Sequence, residues 1–540
     1  MAVAHADQSP APGQDRLSRL PVELLLRIAR LIWTADLCAV RQCSRSLERA
    51  FHYFFMDGFF RSKQFMLTEY SLQTLLDMAR HPIISQTLRH VSFGLEEFRV
   101  CHSFYPEDEV QAAFSITAVV EQKALMANGS AVQLLATAFS LLPNLESVQL
   151  RDHASPKLYR GRPFTVWRSH GLFRMWEHLS WDSKTLLKIN SNPSFSSRVF
   201  ALVVAALAQS SARPPNLDVL LSKEVNGLHY FAFDLSPAPR LSLHGSSSGG
   251  VDGGGDSDGK GNDKFTALSV LAGLRRLHLK LRFSFYPHHG QEADMALNLI
   301  LIPDGGYTHP ACVESLPLRV WLAHCPKLEW LRLNFEDEAN VYNDVFLGQL
   351  GAPLPVFYPL PPGSNVSRDV TLPFASHLRR LDLGMASCYP NVLLGLLRRL
   401  PALEHLSLRR SSLISDDRSP QGTWEGFLKA LAEDSLGKQL KKVCLKRLYA
   451  ATPNNAGVHV RRTHIIILNG TDGIEYKAGA EESMASWLQK VSIEYTRSRW
   501  EGDADTDSDS EGIIENVNGP DAHDYGSEDE QEEDEWDEGP

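Results

Sequence analysis

Cysteine is sparse in this sequence and never paired at metal-binding spacing: the seven residues, at 38, 43, 101, 312, 325, 388 and 444, include no C-x-x-C. That pattern excludes a disulfide framework and a spaced zinc site, and it points to a reducing compartment, cytoplasmic or nuclear. Long hydrophobic runs are missing too. The longest, residues 199–208, falls far short of the ~20 that span a bilayer. The N-terminus MAVAHADQSPAPGQ has no charged stretch leading into an apolar one, so no membrane segment and no secretory signal are expected. The sequons at Asn128, Asn365 and Asn469 are then expected to stay unmodified.

Catalytic signatures are equally scarce. There is no H-E-x-x-H and no G-x-S-x-G. The run from Gly254 to Lys260 matches G-x-x-x-x-G-K, but Gly261 stands where a phosphate loop needs Ser or Thr for magnesium. Asp252, Asp256 and Asp258 have the composition of calcium ligands without the loop spacing or closing Glu. His288 and His289 read as loop. Lys and Arg are spread along the chain rather than clustered, so nucleic-acid binding is not expected. No cofactor, no metal and no catalytic role are expected of this chain.

What is present is apolar substance and a lopsided charge. The chain has 540 residues, 43% hydrophobic and 22% charged, enough for a large core arranged as several domains or one elongated array. From Glu501 to the end there are 18 Asp and Glu and no Lys or Arg, so the formal charge of -11 divides into -18 on that tail and +7 on the rest. Composition breaks divide the chain into a disordered start (1–14), an apolar N-terminal segment (15–60), a body (61–500) with a Gly/Ser/Asp loop at 245–263, and a disordered acidic tail (501–540).

Within the body one pattern, L-x-x-[LV]-x-[LF], returns seven times, starting at Leu88, Leu145, Leu274, Leu328, Leu378, Leu403 and Leu440. In three copies a proline (Pro143, Pro326, Pro401) stands two residues ahead, after a stretch with helical spacing of apolar residues. The unit is helix, turn, short strand, and such units bury their apolar faces only by stacking side by side. The expected fold is therefore α/β, a small helical module followed by an irregular leucine-rich-repeat solenoid of short parallel strands and helices. The spacings of 57, 129, 54, 50, 25 and 37 are uneven, so degenerate copies, with Leu217–Leu220 and Leu241–Leu243 as candidates, or long insertions fill the gaps.

The N-terminal segment reads RLSRLPVELLLRIARLIWTADLCAVRQCSRSLERAF from Arg16. Pro21 suits a first helical turn, Leu24, Leu25, Ile28, Leu31 and Ile32 follow at helical spacing, and Asp36 reads as the cap of a second helix carrying Leu37, Val40 and Leu47. On the residues alone this is two or three short helices, either packed on the body or presenting an apolar docking stripe. The segment resembles an F-box in Leu20-Pro21, Glu23-Leu24-Leu25, Ile28, Leu31, Asp36-Leu37, Val40-Arg41, Cys43-Ser44-Arg45 and Leu47, with Cys43 where that family more often has Val. The repeats CPKLEWLRL and LPALEHLSL are similar to those that follow F-boxes in leucine-rich-repeat members of the family, as in filamentous fungi.

The resemblance implies docking to the Skp-type adaptor of an SCF-type cullin-RING ubiquitin ligase, through Leu20, Pro21, Leu24, Ile28, Leu31, Leu37 and Val40 as adaptor-facing or core positions. The body would then hold a protein target. A repeat scaffold that drives no ubiquitin transfer is the other reading. In stacked strands the residues between the leucines share one face, which here offers Arg276, His278, Lys280, Trp330, Arg332, Arg380, His405, Arg409, Lys442 and Lys446, with eight Lys and Arg against one Asp over the seven copies. Such a face either favours an acidic or phosphorylated segment, with Trp330 as apolar anchor, or is simply solvated. The tail, with Thr506, Ser508 and Ser527 each three residues ahead of an acid, is either a competitor for that face or a solubilising terminus.

Overall fold

A computed structural model describes residues 17, 20–32, 34–98, 109–152, 169–171, 187–189, 193–221, 227–233, 267–282, 300–301, 307–308, 310–336, 342–354, 372–415, 422–453, 460–477 and 483–497. The start, the 245–263 loop with its aspartates and glycines, Leu241–Leu243, His288–His289 and the acidic tail lie outside them.

Three helices come first, α1 (Val22–Leu31), α2 (Thr34–Cys43) and α3 (Arg45–Phe60). The strands begin with β1 (Ser62–Phe65), β2 (His90–Gly94), β3 (Glu96–Phe98), β4 (Ser147–Arg151), β5 (Leu187–Ile189), β6 (Asn216–Leu220), β7 (Leu228–His229), β8 (Arg276–Arg282), β9 (Ile300–Leu301) and β10 (Tyr307–Thr308). They continue with β11 (Trp330–Phe335), β12 (Arg380–Gly384), β13 (Ser387–Cys388), β14 (His405–Arg409), β15 (Ser412–Ile414), β16 (Lys442–Lys446), β17 (Leu448–Pro453), β18 (Val460–Leu468), β19 (Gly473–Lys477) and β20 (Ile493–Arg497).

The protein is α/β, with a large, mostly parallel sheet of 11 strands and a smaller mixed sheet of five. In the large sheet β1, β2, β4, β6, β8, β11, β12, β14 and β16 lie side by side in chain order, each parallel to the next, and β19 closes the far edge antiparallel. Parallel neighbours need a crossover, and helices such as α4 (Glu69–Arg80), which Thr68 caps through the Ser71 N–H, supply it. Between β2 and β4 the chain forms α6 (Glu109–Ala127) and α7 (Ser130–Ser140), with α5 (Ile84–Thr87) before β2. One continuous core lies between the leucine face of the strands and these helices, running from Phe65 to Leu488.

All seven patterned copies form strands of the large sheet, and the first leucine of each is buried. In the three proline copies the residue before proline accepts a hydrogen bond from that leucine's N–H: Leu142 from Leu145 at 3.4 Å, Cys325 from Leu328 at 3.1 Å, Leu400 from Leu403 at 3.1 Å. Proline at the second position pre-sets such a turn. The Leu217–Leu220 candidate is β6, which fills the 129-residue gap. Just ahead of β8, β11, β12, β14 and β16 a row of side chains alternates in sign: Arg275 pairs with Glu329 at 3.8 Å and Lys441 with Glu404 at 2.8 Å, while Arg379 lies between Glu329 and Glu404. Nearer β1, Arg61 adjoins Arg89, Arg89 pairs with Glu146, and Pro215 interrupts the row.

Three consecutive units turn the same corner. Met385, Arg410 and Arg447, each directly after its strand, have φ of 53°, 49° and 54°, and from there the chain enters β13, β15 and β17 of the smaller sheet. Left-handed backbone costs an L-residue about 1–2 kcal/mol, and β-branching makes it worse. Met385→Val is therefore expected to lower stability by about 1–3 kcal/mol more than Met385→Leu, measured by urea unfolding. Equal losses would remove the corner as the cause.

Candidate docking surfaces

The N-terminal helices have their own small core of Leu25, Ala29, Leu37, Leu47 and Phe51, flanked by Leu17, Leu20, Ile32, Val40, Ala50, Phe54 and Phe55. Pro21 sits just ahead of α1 and its carbonyl accepts from the N–H groups of Leu24 and Leu25 at 3.0 and 3.1 Å. Asp36 falls in the first turn of α2 rather than at its cap, because the helix already begins at Thr34. Ser44 caps α3 by accepting from the Leu47 N–H at 3.2 Å.

Helical periodicity splits α1 into two stripes. Leu25, Ala29 and Ile32 (i, i+4, i+7) face the small core, while Leu24, Ile28 and Leu31, with the same spacing, form the outward stripe. Leu24 is 42% exposed, Leu31 83% and Val22 51%, with Ile28 half-buried and Pro21 exposed. Of the seven F-box-like positions, then, Leu37 is interior, Leu20 and Val40 pack at the margin of the core, and Pro21, Leu24, Ile28 and Leu31 lie on or near the surface. Val22 joins them, a position that apolar spacing alone assigns to neither stripe. At about 25 cal/mol per Å², covering a leucine as exposed as Leu31 is worth roughly 2 kcal/mol.

The second surface is the face of the large sheet opposite the leucines. Strand register brings Arg276, Trp330, Arg380, His405 and Lys442 into one row across β8, β11, β12, β14 and β16. A second row holds His278 and Arg332, followed by Asp382, Ser407 and Cys444, and a third holds Lys280, Asn334, Gly384, Arg409 and Lys446. All ten candidates therefore converge on one face. His278 and Lys280 are buried in it and the other eight are half-buried, so the face is a packed polar ladder rather than a comb of solvated side chains.

The face is also less lopsided in charge than the seven patterned strands suggest. The strands β6 and β19 add Asp218 and Glu475 to Asp382. Asp218 takes both Arg276 Nε at 3.1 Å and Nη2 at 2.6 Å, along with Ser147 and Gln149 at 3.3 Å each. Asp382 accepts from Trp330 Nε1 at 2.8 Å and from Arg380 Nε at 3.0 Å, while the Arg380 guanidinium lies 3.8 Å from the Trp330 ring centroid. Glu475 bridges Lys442 at 2.9 Å and Lys477 at 3.3 Å. Trp330 is thus held between arginines, with Arg276 5.3 Å and Arg380 3.8 Å from its ring centroid. Burial, reinforced by Arg332, Arg276 and Arg151, holds His278 well below its usual range and keeps it neutral. Burial likewise lowers His405, with Arg380 adding to the effect.

Sequence reasoning missed Asp218 because β6 lacks the opening leucine of the pattern, and missed Glu475 and Lys477 because β19 runs antiparallel and carries no repeat. Among the described residues no three His, Cys, Asp or Glu side chains are grouped to hold a metal, and no helix is long and apolar enough to cross a membrane. The outward stripe of α1 and the polar face of the sheet each offer contacts that can bind a partner.

Comparison with family models finds no match to this chain, and no curated protein matches it.

Proposed function

We propose that this chain is a substrate-receptor subunit of an SCF-type cullin-RING ubiquitin ligase, acting in the cytoplasm or nucleus. The observation that carries the reading is the division within α1: the N-terminal helices close a core of their own and still leave Leu24, Ile28 and Leu31 facing outward. A surface stripe of that kind, at the spacing that resembles an F-box, fits an adaptor groove. The body is proposed to be an irregular leucine-rich-repeat array, supported by strand–helix units that follow one another in chain order with a shared leucine core.

Its polar face, with Trp330 between Arg276 and Arg380, takes an acidic or phosphorylated segment of a protein target. Chemistry belongs to other subunits. Tethering the target near a loaded ubiquitin-carrying enzyme raises the effective concentration of its lysines, and proximity is the whole of this chain's contribution.

The test is capture of a Skp-type adaptor and its cullin by the full chain and by Leu24→Glu/Leu31→Glu. Losing two buried leucines at the interface and inserting charge is expected to weaken the adaptor over 100-fold, about 3 kcal/mol or more, with an unchanged melting temperature since both side chains are surface groups. Undiminished capture would remove the docking stripe. Capture of adaptor without cullin or ubiquitin transfer would favour a scaffold instead.

A further inference from the structure

β1 stands at one end of the large sheet, and one of its side chains departs from the eight parallel strands that follow. Strand register sets Lys63 level with Val91, and the same row runs on through Val148, Leu217 and Leu277 to Val443, every member after Lys63 a buried aliphatic residue. Alternation along the strand puts Lys63 on that same apolar face. It is half-buried there, and the end of α3 roofs it: Nζ lies 3.7 Å from the Phe59 ring centroid and 5.3 Å from that of Phe60.

Among the described residues no carboxylate comes within ion-pair distance of Nζ and no acceptor within hydrogen-bond reach. Asp57 of α3 pairs with Arg61 instead, at 3.6 Å. His170, bridged to Phe65 on the open side of β1, supplies no counter-charge, because burial, and then Lys63 itself, hold it below its usual range. The ring faces attract a cation, but they also displace the water that an ammonium needs, and burial brings Lys63 down from 10.5 to about 8. On the order of a fifth of it is then free amine at pH 7.4, against about 0.1% for an ordinary lysine.

We propose that Lys63 is an acylation site of this chain, its Nζ taking the acyl group of a small acyl thioester beneath the rings of Phe59 and Phe60. The amine lone pair attacks the thioester carbonyl, an N–C bond forms, the C–S bond breaks, and the sulfur leaves as a thiol with the proton that the nitrogen gives up. The product is a neutral amide, which suits a half-buried apolar site, whereas a carbamate or a protonated imine would put a charge back. Acylation also discharges the cation that faces Phe59, and so removes one contact between α3 and β1.

The test incubates the full chain with S-acetyl-N-acetylcysteamine and reads the occupancy of each lysine by peptide mass spectrometry. At pH 7.4 Lys63 is expected to acetylate about tenfold faster than the exposed Lys327 and Lys429, the excess of free amine being offset in part by weaker nucleophilicity. Its rate should level off above about pH 8, a plateau that an ordinary lysine reaches only past about pH 10. Phe59→Ala/Phe60→Ala opens the roof to water and is expected to erase the preference, with hydrogen exchange over 62–94 showing that β1 and β2 stay folded. The pH profile of the unaltered chain needs no variant. Lys63 reacting no faster than the exposed lysines, or at a rate still rising through pH 9.5, would overturn the proposal and leave it as an inward charge guarding the sheet edge. Because neither adaptor nor target is in the tube, the result stands apart from the test of the ligase reading.

Discussion

Phe51→Ala is expected to unfold the N-terminal helices and leave the sheet folded. Phe51 is fully buried among only Leu25, Ala29, Leu37 and Leu47, with a handful of half-buried neighbours. Removing a phenyl ring from a packed site costs about 3–5 kcal/mol, and a module of this size has little more than that in reserve. None of its five interior residues belongs to the large core, so the loss has no direct route into the strands. The module joins the body through α3, which packs against α5 and β1 and carries an aromatic seam: Arg41 lies 3.6 Å from the Phe55 ring centroid, Phe55 stacks on Phe59 at 5.1 Å, and Lys63 on β1 lies 3.7 Å from Phe59. Hydrogen exchange is the measurement. Amides of 22–56 should lose protection while those of 330–446 keep theirs, with adaptor capture gone. Loss of protection in both regions together would mean that module and body fold as one cooperative unit.

The second large effect is expected at Glu96. This carboxyl is buried beside β2, where Ser169 donates to it, Gln64 Nε2 donates to Ser169 Oγ at 2.9 Å, and Asp152 adds a like charge nearby. Burial, opposed by the Ser169 bond, raises its pKa from 4.5 to about 7. The folded state then holds a proton that the unfolded state has already released between those values, so stability contributed by the neutral acid is present at low pH and lost as pH rises from about 4.5 to 7. By linkage the loss approaches on the order of 3 kcal/mol above neutrality. Glu96→Gln keeps the shape and the acceptor for Ser169 without the charge. Urea unfolding should find the two proteins equal near pH 4.5 and the Gln variant more stable by about 3 kcal/mol at pH 8. Parallel pH profiles for the two would show that the site stays ionised at no cost.

How much of this was legible in the sequence depends on what the residues record. The stacked strands were readable because inward leucines keep one spacing within each copy and because Pro143, Pro326 and Pro401 mark one turn chemistry. The outer members were not: β1 carries Lys63 where the others have an aliphatic residue, and β19 pairs in the opposite sense. The polar face could be enumerated from the pattern, but its burial could not, since it arises from side chains of strands distant in sequence filling one another's space. For α1 the apolar set was plain, whereas the choice between Leu24 and Leu25 as the outward residue is settled by where α2 and α3 lie, which no local spacing encodes.

The alternating charges ahead of β8 to β16 limit how that part of the large sheet can change length. Removing the single unit that carries Arg379 would seat Glu329 against Glu404, acid on acid, whereas excising two adjacent units restores an opposite pair. Each clash costs only some tenths of a kcal/mol to about 1 kcal/mol, but between Arg275 and Lys441 it recurs whenever an odd number of inner strand units is lost. Viable deletions and duplications between β8 and β16 should obey parity, losing or gaining two strand units at a time.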